Sequence, residues 1–559
     1  MKHGRLKLIF ILTALILILG GCAAKSEDSE GQKEQTTKQS PSKEEMPSQE
    51  ETVIEAEGDV TEVDLSGMKG TVSFREGGVY RLSGKLKQGQ LVIDAGKNDD
   101  VELILAGVSV TSTVGAALYC RNADNLVITL QENTENSLTD AGKYYFDDPV
   151  KEEPNAALFS KADLTIRGEG SLTVEANYKH GISTKDDLVI SGGVLSVTSA
   201  SDALRGKDSV LIEGGSIRLK AGKDGIAATN DLADQDEEKG WIEINGGTFD
   251  ITASGDAVQA ETRLTISDGS FAIVTEGAAS GNKGSQKGLK AKELLQIYGG
   301  SYQLTVNDDA VHSSRDALIT GGDFTIDTTD DGVHADNDLV IQGGSFDIPV
   351  CYEGIEGTTV TIDGGTFFIS SVDDAIGGAA GTEEAKAQNV RSGNPLVWVK
   401  INGGEIEAYS GGDTVDSNGD IFVNGGKLRL TSPSEPYYEG VLLCNGQVTV
   451  TGGDLVLAGN IGVGFVVEKQ PMIRVSFRDD QKAGGVLTLK DAQGNVLQEL
   501  VTRKIFNQAA FASPSFVIGE TYTVYLDGQK VVDVTLTDLL TKTGADGGPF
   551  TRDYPRDRR

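Results

Sequence analysis

Asp331-Gly332-Val333-His334-Ala335-Asp336-Asn337-Asp338-Leu339-Val340-Ile341-Gln342-Gly343-Gly344-Ser345-Phe346-Asp347-Ile348 reads as strand and turn, not helix. Val333 is set to point inward, Leu339 and Ile341 alternate with polar neighbours, a Gly-Gly pair interrupts, and Phe346 and Ile348 resume the alternation. Apolar side chains recurring at period two belong to half-buried strands. The stretch is also one copy of many. The second glycine of such a pair, or of a close variant, falls at Gly170, Gly193, Gly215, Gly247, Gly269, Gly300, Gly322, Gly344, Gly365, Gly404, Gly426 and Gly453, and seven of the eleven spacings lie within one residue of 22. The longer spacings are those that insertions would produce.

Three short strands in 22 residues, joined by corners that need positive φ or leave no room for a Cβ, make one triangular coil of a solenoid. Stacked coils pair each strand in parallel with its copy at about 4.8 Å per coil. The expected fold is therefore all-β, a right-handed parallel β-helix. A leucine-rich repeat has a similar period but would require an L-x-x-L-x-L-x-x-N pattern, which is not present. A coil cannot bury its own apolar face, so both ends of the stack need caps. The stretch Val53 to Glu169 is less regular but strand-like, and beyond Gly464 the pattern changes to longer strands with turn signals at Asp491 to Asn495 and Leu526 to Gln529. These readings divide the chain into a leader (1–21), a tether (22–52), the solenoid (53–465), a small C-terminal β module (466–543) and a disordered tail (544–559).

At the N-terminus, Lys2, His3, Arg5 and Lys7 precede an apolar run from Leu8 to Leu19, the charge order of a secretory signal. The run ends in Leu19-Gly20-Gly21-Cys22, which resembles the lipobox of bacterial lipoproteins and implies a diacylglycerol on Cys22. Two acyl chains suffice for stable anchoring. The Ser-, Glu-, Lys- and Pro-rich segment after it cannot bury enough apolar surface to fold. The chain is thus expected outside the cell, lipid-anchored to the outer face of a bacterial membrane.

The formal charge is −34, from 84 acidic and 50 basic side chains. A polyanionic nucleic acid is a poor partner for such a surface and divalent cations are a better one. Cys120, Cys351 and Cys444 are scattered without metal-ligand spacing and read as buried thiols.

Ten residues beyond most glycine pairs stands an acid followed by Ala or Gly and an aliphatic residue. It is Asp202-Ala203-Leu204, Asp224-Gly225-Ile226, Asp256-Ala257-Val258, Asp309-Ala310-Val311, Asp331-Gly332-Val333, Glu353-Gly354-Ile355 and Asp374-Ala375-Ile376, with Asp413-Thr414-Val415 and Glu439-Gly440-Val441 as weaker copies. The register stacks these carboxylates in one column, and at Asp308-Asp309, Asp330-Asp331 and Asp373-Asp374 the acid is doubled. Two like charges about 5 Å apart repel by roughly 3 kcal/mol at an effective dielectric near 20. Raised pKa values, hydrogen bonds to corner amides, or bound cations must offset that. Single acids suit corner capping. Doubled acids from successive coils suit calcium, which accepts six to eight oxygens in loose geometry.

The run Asp330-Asp331-Gly332-Val333-His334-Ala335-Asp336, then Tyr352-Glu353-Gly354-Ile355-Glu356-Gly357, then Ser371-Val372-Asp373-Asp374-Ala375-Ile376 resembles the signature of a family of bacterial carbohydrate-binding proteins. The family's clostridial prototype is a calcium-containing β-helix similar to polysaccharide lyases that binds cellulose and acidic pectic sugars. The stretches Ala116 to Leu118 and Asn136 to Asp140 resemble its opening. The resemblance implies a polysaccharide partner and calcium ligands at Asp330, Asp331, Asp336, Glu353, Glu356, Asp373 and Asp374. The third motif departs from the family's D-D-G-I-N at Ala375 and Gly377, which weakens its ligand set. Coil register adds Asp308 and Asp309. His312 and His334 hold equivalent places in adjacent coils and should stack, as packing or as part of a ligand-binding surface.

Trp241 and Trp398 each lie five residues before a glycine pair on the outward face and follow long insertions. Each indole either stacks on a sugar ring or is roofed by its own insertion. Lys283, Lys287, Lys290 and Lys292 gather beside the column, where they either attract uronate carboxylates or balance nearby acids. Three functions are compatible with these residues. The leading one is calcium-dependent binding of plant cell-wall or acidic polysaccharide. The second is a pectate-type lyase, with Lys290 as the base and Arg205 as its alternate. The third is a structural surface protein or adhesin.

Overall fold

The computed structural model describes residues 49–551 apart from 147–149, 151, 232–238, 278–283, 389–391, 435–438 and 463–464. Cys22, the leader and most of the tether lie outside the described residues, as does Lys283.

One coil shows the rule. It comprises Val311–Ser313, Asp316–Ile319 and Asp323–Thr328. The first strand pairs in parallel with Leu289–Ala291 below, the second with Leu294–Ile297, and the third with Ser301–Val306. The chain is a parallel β-helix of such coils. In the coil from Asp331 to Ile348 the first two strands run together as Val333–Ile341. Val333, Leu339, Ile341, Phe346 and Ile348 all point into the core and are at most 1 % exposed.

The glycine pairs have a steric cause. Gly344 sits at φ 106°, and a Cβ there would lie 2.9 Å from the carbonyl oxygen of Gly322, its copy one coil below. Coil-on-coil approach at this corner therefore excludes a side chain. At Gly170 the positive φ has moved to Gly168. Two residues after each of six successive second glycines stands an aromatic ring. Phe249, Phe271, Tyr302, Phe324, Phe346 and Phe367 stack inside the helix with centroids 4.4 to 4.9 Å apart. Each such contact is worth about 0.5–1.5 kcal/mol beyond area burial, so the ladder holds the register that the glycines permit.

Among the described residues the first strand is Glu51–Ile54, which starts inside the segment expected as tether and pairs in parallel with Gly70–Phe74. At the other end Phe506–Ala512 pairs antiparallel with Asp454–Gly459 and with Met472–Gln481, which covers the last third strand. A separate antiparallel sheet of Val496–Val501, Val486–Lys490, Thr521–Leu526 and Gln529–Thr535 packs over Phe477, Phe506 and Phe511. Residues 545–551, expected as part of the tail, continue the fold: Ala545 N–H donates to the Ser476 carbonyl, and the Phe550 ring lies 5.3 Å from the Arg474 guanidinium. Cys120, Cys351 and Cys444 are buried and in no disulfide, and burial pushes Cys120 up to about 11 and Cys351 up to about 12.

Candidate functional site

The acid column runs up the corner between each third strand and the next first strand. Its members cap across coils, not through their own backbones. Asp202 Oδ1 accepts the N–H of Asp224 (3.4 Å), Asp224 that of Asp256 (3.1 Å), and Asp256 that of Lys287 (2.9 Å). Asp309 accepts the N–H of Asp331 (3.3 Å) and Asp374 that of Asp413 (2.7 Å), while Asp413 accepts that of Gly440. Among the described residues this relay has no member from Asp331 to Glu353 or from Glu353 to Asp374. There the oxygens of Asp331, Glu353 and Glu356 converge within 4.8 Å instead.

Charge compensation divides the column. In the lower coils every acid has a cation: Lys223 lies 2.6 Å from Asp224, and Lys290 lies 2.8 Å from Asp256. Lys287 bridges Asp308 (2.6 Å) and Asp309 (2.5 Å), and His312 Nδ1 is 2.8 Å from Asp309. Against the desolvation that burial imposes, His312 and Lys287 hold Asp309 well below the usual carboxylate range. His334 Nδ1 lies 2.7 Å from Asp331, and its Nε2 lies 3.1 Å from Asp336. Burial disfavours the imidazolium, but those two bonds, with Glu356 nearby, push His334 up to about 11.

Above His334 the described part of the column has no further cation. Among the described residues, Glu353, Asp374, Asp413 and Glu439 form no ion pair with a basic side chain. Burial, then Glu356 and Asp331, push Glu353 up to about 9. Burial and Asp416 push Asp374 up to about 7 and, with Asp374 adding to them, Asp413 up to about 10. The Asp374, Asp413 and Glu439 carboxylates also lie within 4.8 Å of one another.

The structure thus gathers Asp331, Glu353 and Glu356 into one cluster and Asp308, Asp309 and Asp330 into another, already salted by Lys287. Asp336 is turned to His334, and Asp373 accepts a hydrogen bond from the Tyr352 hydroxyl (2.9 Å). Asp413 and Glu439 join Asp374, a grouping that sequence reading did not make. Its signal was present in their weaker copies of the acid motif.

The outward positions of the first strands form a second line beside the column. From Tyr119 and Phe159 it climbs through Ser183, Arg205, Ala227, Gln259 and Lys290 to His312, His334 and Glu356. The histidine rings do stack, with centroids 5.3 Å apart. Lys290 is held by Asp256 and by Ser285 Oγ (3.1 Å), so its ammonium is tied down as a counter-ion where a base would have to be free. Lys292 turns away to Glu261 (2.5 Å). Both indoles stand on second strands, opposite Ser209 for Trp241 and Thr359 for Trp398, away from the first-strand line. The Arg263 guanidinium lies 5.6 Å from the Trp241 ring and the Lys400 ammonium 5.1 Å from that of Trp398.

A parallel β-helix with an acidic column along one corner is the class that fold and site define. The family model described as carbohydrate-binding domain-containing protein matches residues 68–332 and 328–458, and the chain belongs to that family. A carbohydrate-binding domain-containing protein of Acetivibrio thermocellus is 38% identical over 236 residues, which is 42% of this chain and 78% of the relative. The solved polysaccharide lyase-like protein from C. thermocellum, a gadolinium derivative, aligns at 35% identity and TM-score 0.37 over 41% of this chain and 87% of its own.

Proposed function

We propose that the chain binds acidic, uronate-bearing polysaccharide with the help of calcium, at the outer face of a bacterial membrane where a lipid on Cys22 anchors it. One observation carries the metal: Asp331, Glu353 and Glu356, and above them Asp374, Asp413 and Glu439, bring carboxylate oxygens within 4.8 Å. Among the described residues no lysine or arginine pairs with either trio; the cation beside the first is His334, 2.7 Å from Asp331 and 3.5 Å from Glu356. Hard oxygen donors from successive coils, without cysteine, fit calcium better than zinc. Each trio would hold an ion, whereas Asp308 and Asp309 are already neutralised by Lys287. Bound calcium would neutralise the column and offer positive charge to a sugar carboxylate. The family supplies the carbohydrate; the −34 charge makes a cation the natural intermediary between this surface and an anionic glycan.

The test is calorimetric titration of calcium into protein prepared in chelator, with melting temperature and retention on polygalacturonate followed in parallel. Heat of binding, a higher melting temperature and at least about tenfold tighter retention with calcium are expected. Absence of both heat and thermal shift would remove calcium from the mechanism.

A further inference from the structure

Some six coils below the Glu356 cluster, the same first-strand face carries a pocket of opposite character. A cavity of about 160 Å³ is lined by Asn155, Phe159, Lys185, Arg205, Lys207 and Thr229, among others. Three cationic side chains thus surround one concavity in a chain of charge −34. Among the described residues no acid lines the cavity, although Asp186 and Asp187, next in the chain to Lys185, gather their carboxylates with that of Asp163 at the neighbouring corner. Glu153 is shared between Lys185 (2.6 Å) and Lys161 (3.8 Å). Asp202 faces His180 (3.2 Å) and Lys223 (3.8 Å) as well as Arg205 (3.8 Å). Asp208 is held by Lys239 (2.8 Å) and Asn230 (2.6 Å) and does not line the cavity. Lys207 is exposed and forms no ion pair among the described residues.

Two buried polar atoms beside the cavity also form no hydrogen bond: Asn155 Oδ1, an acceptor, and Arg205 Nε, a donor whose facing acid, Asp202 Oδ2, stands 3.8 Å away, beyond hydrogen-bond distance. The other Arg205 nitrogens are fixed, Nη1 at 3.2 Å from His180 Nε2 and Nη2 donating to Thr229 Oγ1 at 3.2 Å, so the guanidinium is pre-set. Buried polar atoms without partners are uncommon and call for a ligand or water. The volume is below the ~300–1,000 Å³ of ordinary small-molecule pockets, which suits one unit of a longer chain.

We propose that this pocket is a second glycan subsite, which takes a sugar carboxylate directly on Arg205, Lys185 and Lys207, with Asn155 Oδ1 accepting from a sugar hydroxyl, and needs no calcium. The uronate class rests on the function proposed above; the independence from metal does not. Arg205 and Glu356 lie six steps apart on one ladder, or about 29 Å at 4.8 Å per coil, so one acidic polymer can engage both ends of the face and gain from the linkage.

The probe is a trigalacturonate, too short to reach both ends, titrated into the full chain in chelator, with cellotriose as the neutral control. Binding of the acidic trimer alone is expected, weakened by salt. Lys207→Gln should lower it about threefold to fivefold, as for an exposed ion pair of good geometry, and Lys185→Gln/Lys207→Gln further, at unchanged melting temperature. No trigalacturonate binding in chelator, equal binding of both trimers, or Lys207→Gln matching the parent would overturn the subsite. Calcium-dependent polymer binding could persist in each case, so its failure and that of the subsite are read separately.

Discussion

Asp374 Oδ1 accepts the backbone N–H of Asp413, 2.7 Å away and one coil further on. One carboxylate therefore has two tasks, capping the next corner and supplying charge to the Asp413–Glu439 cluster. The two come apart by substitution. Asp374→Asn keeps an acceptor for the amide and removes the charge, so it should leave the denaturation midpoint in chelator unchanged or raised while calcium affinity falls at least about tenfold. Asp374→Ala loses the acceptor as well and should cost about 1–2 kcal/mol in addition. Calcium calorimetry and urea denaturation of both variants provide the check.

Gly344→Ala tests the corner sterics. At φ 106° with the Gly322 carbonyl 2.9 Å from the incoming Cβ, the substitution should cost about 1–3 kcal/mol. Gly214, the first glycine of its pair, has nothing within 4 Å of a built Cβ, and Gly214→Ala should stay within about 0.5 kcal/mol of the parent. Equal denaturation midpoints for the two would contradict the stacking account.

The aromatic ladder gives a third prediction. Phe324→Ala should cost about 3–5 kcal/mol, since the ring is sandwiched between Tyr302 at 4.4 Å and Phe346 at 4.7 Å. Phe324→Tyr should be nearly neutral, because on the adjacent rung the Tyr302 hydroxyl already finds the Gly299 carbonyl at 2.6 Å. A Phe324→Tyr variant as unstable as Phe324→Ala would show that the rung has no room for the hydroxyl.

The period of the chain was legible because each coil repeats one set of steric demands: glycine where carbonyls stack, an aliphatic or aromatic residue where the core must be filled, an acid where the next corner needs an acceptor. What depends on a single coil was not. Lys287 was legible as a neighbour of the column, but its choice of Asp308 and Asp309 is set by the insertion it ends, which leaves no periodic trace. Asp413 and Glu439 sit in coils whose acid motifs have drifted, yet strand pairing restores them to the column beside Asp374. The pairing of Phe506–Ala512 with Asp454–Gly459 joins segments some fifty residues apart, which local alternation cannot announce. The doubled acids correctly marked where charge accumulates; which of them keep their oxygens uncompensated depends on lysines and histidines brought in by register.

The uncompensated carboxyls set a pH dependence whose sign follows from linkage. Glu353 is raised from 4.5 to about 9, Asp374 from 3.8 to about 7 and Asp413 from 3.8 to about 10, so between roughly pH 4.5 and 7 the folded chain holds protons there that the unfolded chain has released. Stability falls with rising pH wherever the native state binds more protons. His334, raised from 6.5 to about 11, acts in the same direction at higher pH: its contribution is whole below 6.5 and is lost toward 11. In chelator the melting temperature should therefore decline from pH 5 to pH 9, and Glu353→Gln should flatten the decline. Calcium competes with those protons, so the stabilisation it confers should grow over the same interval. A melting temperature in chelator that is level or rising across that interval would mean that the upper column is compensated by something other than protons.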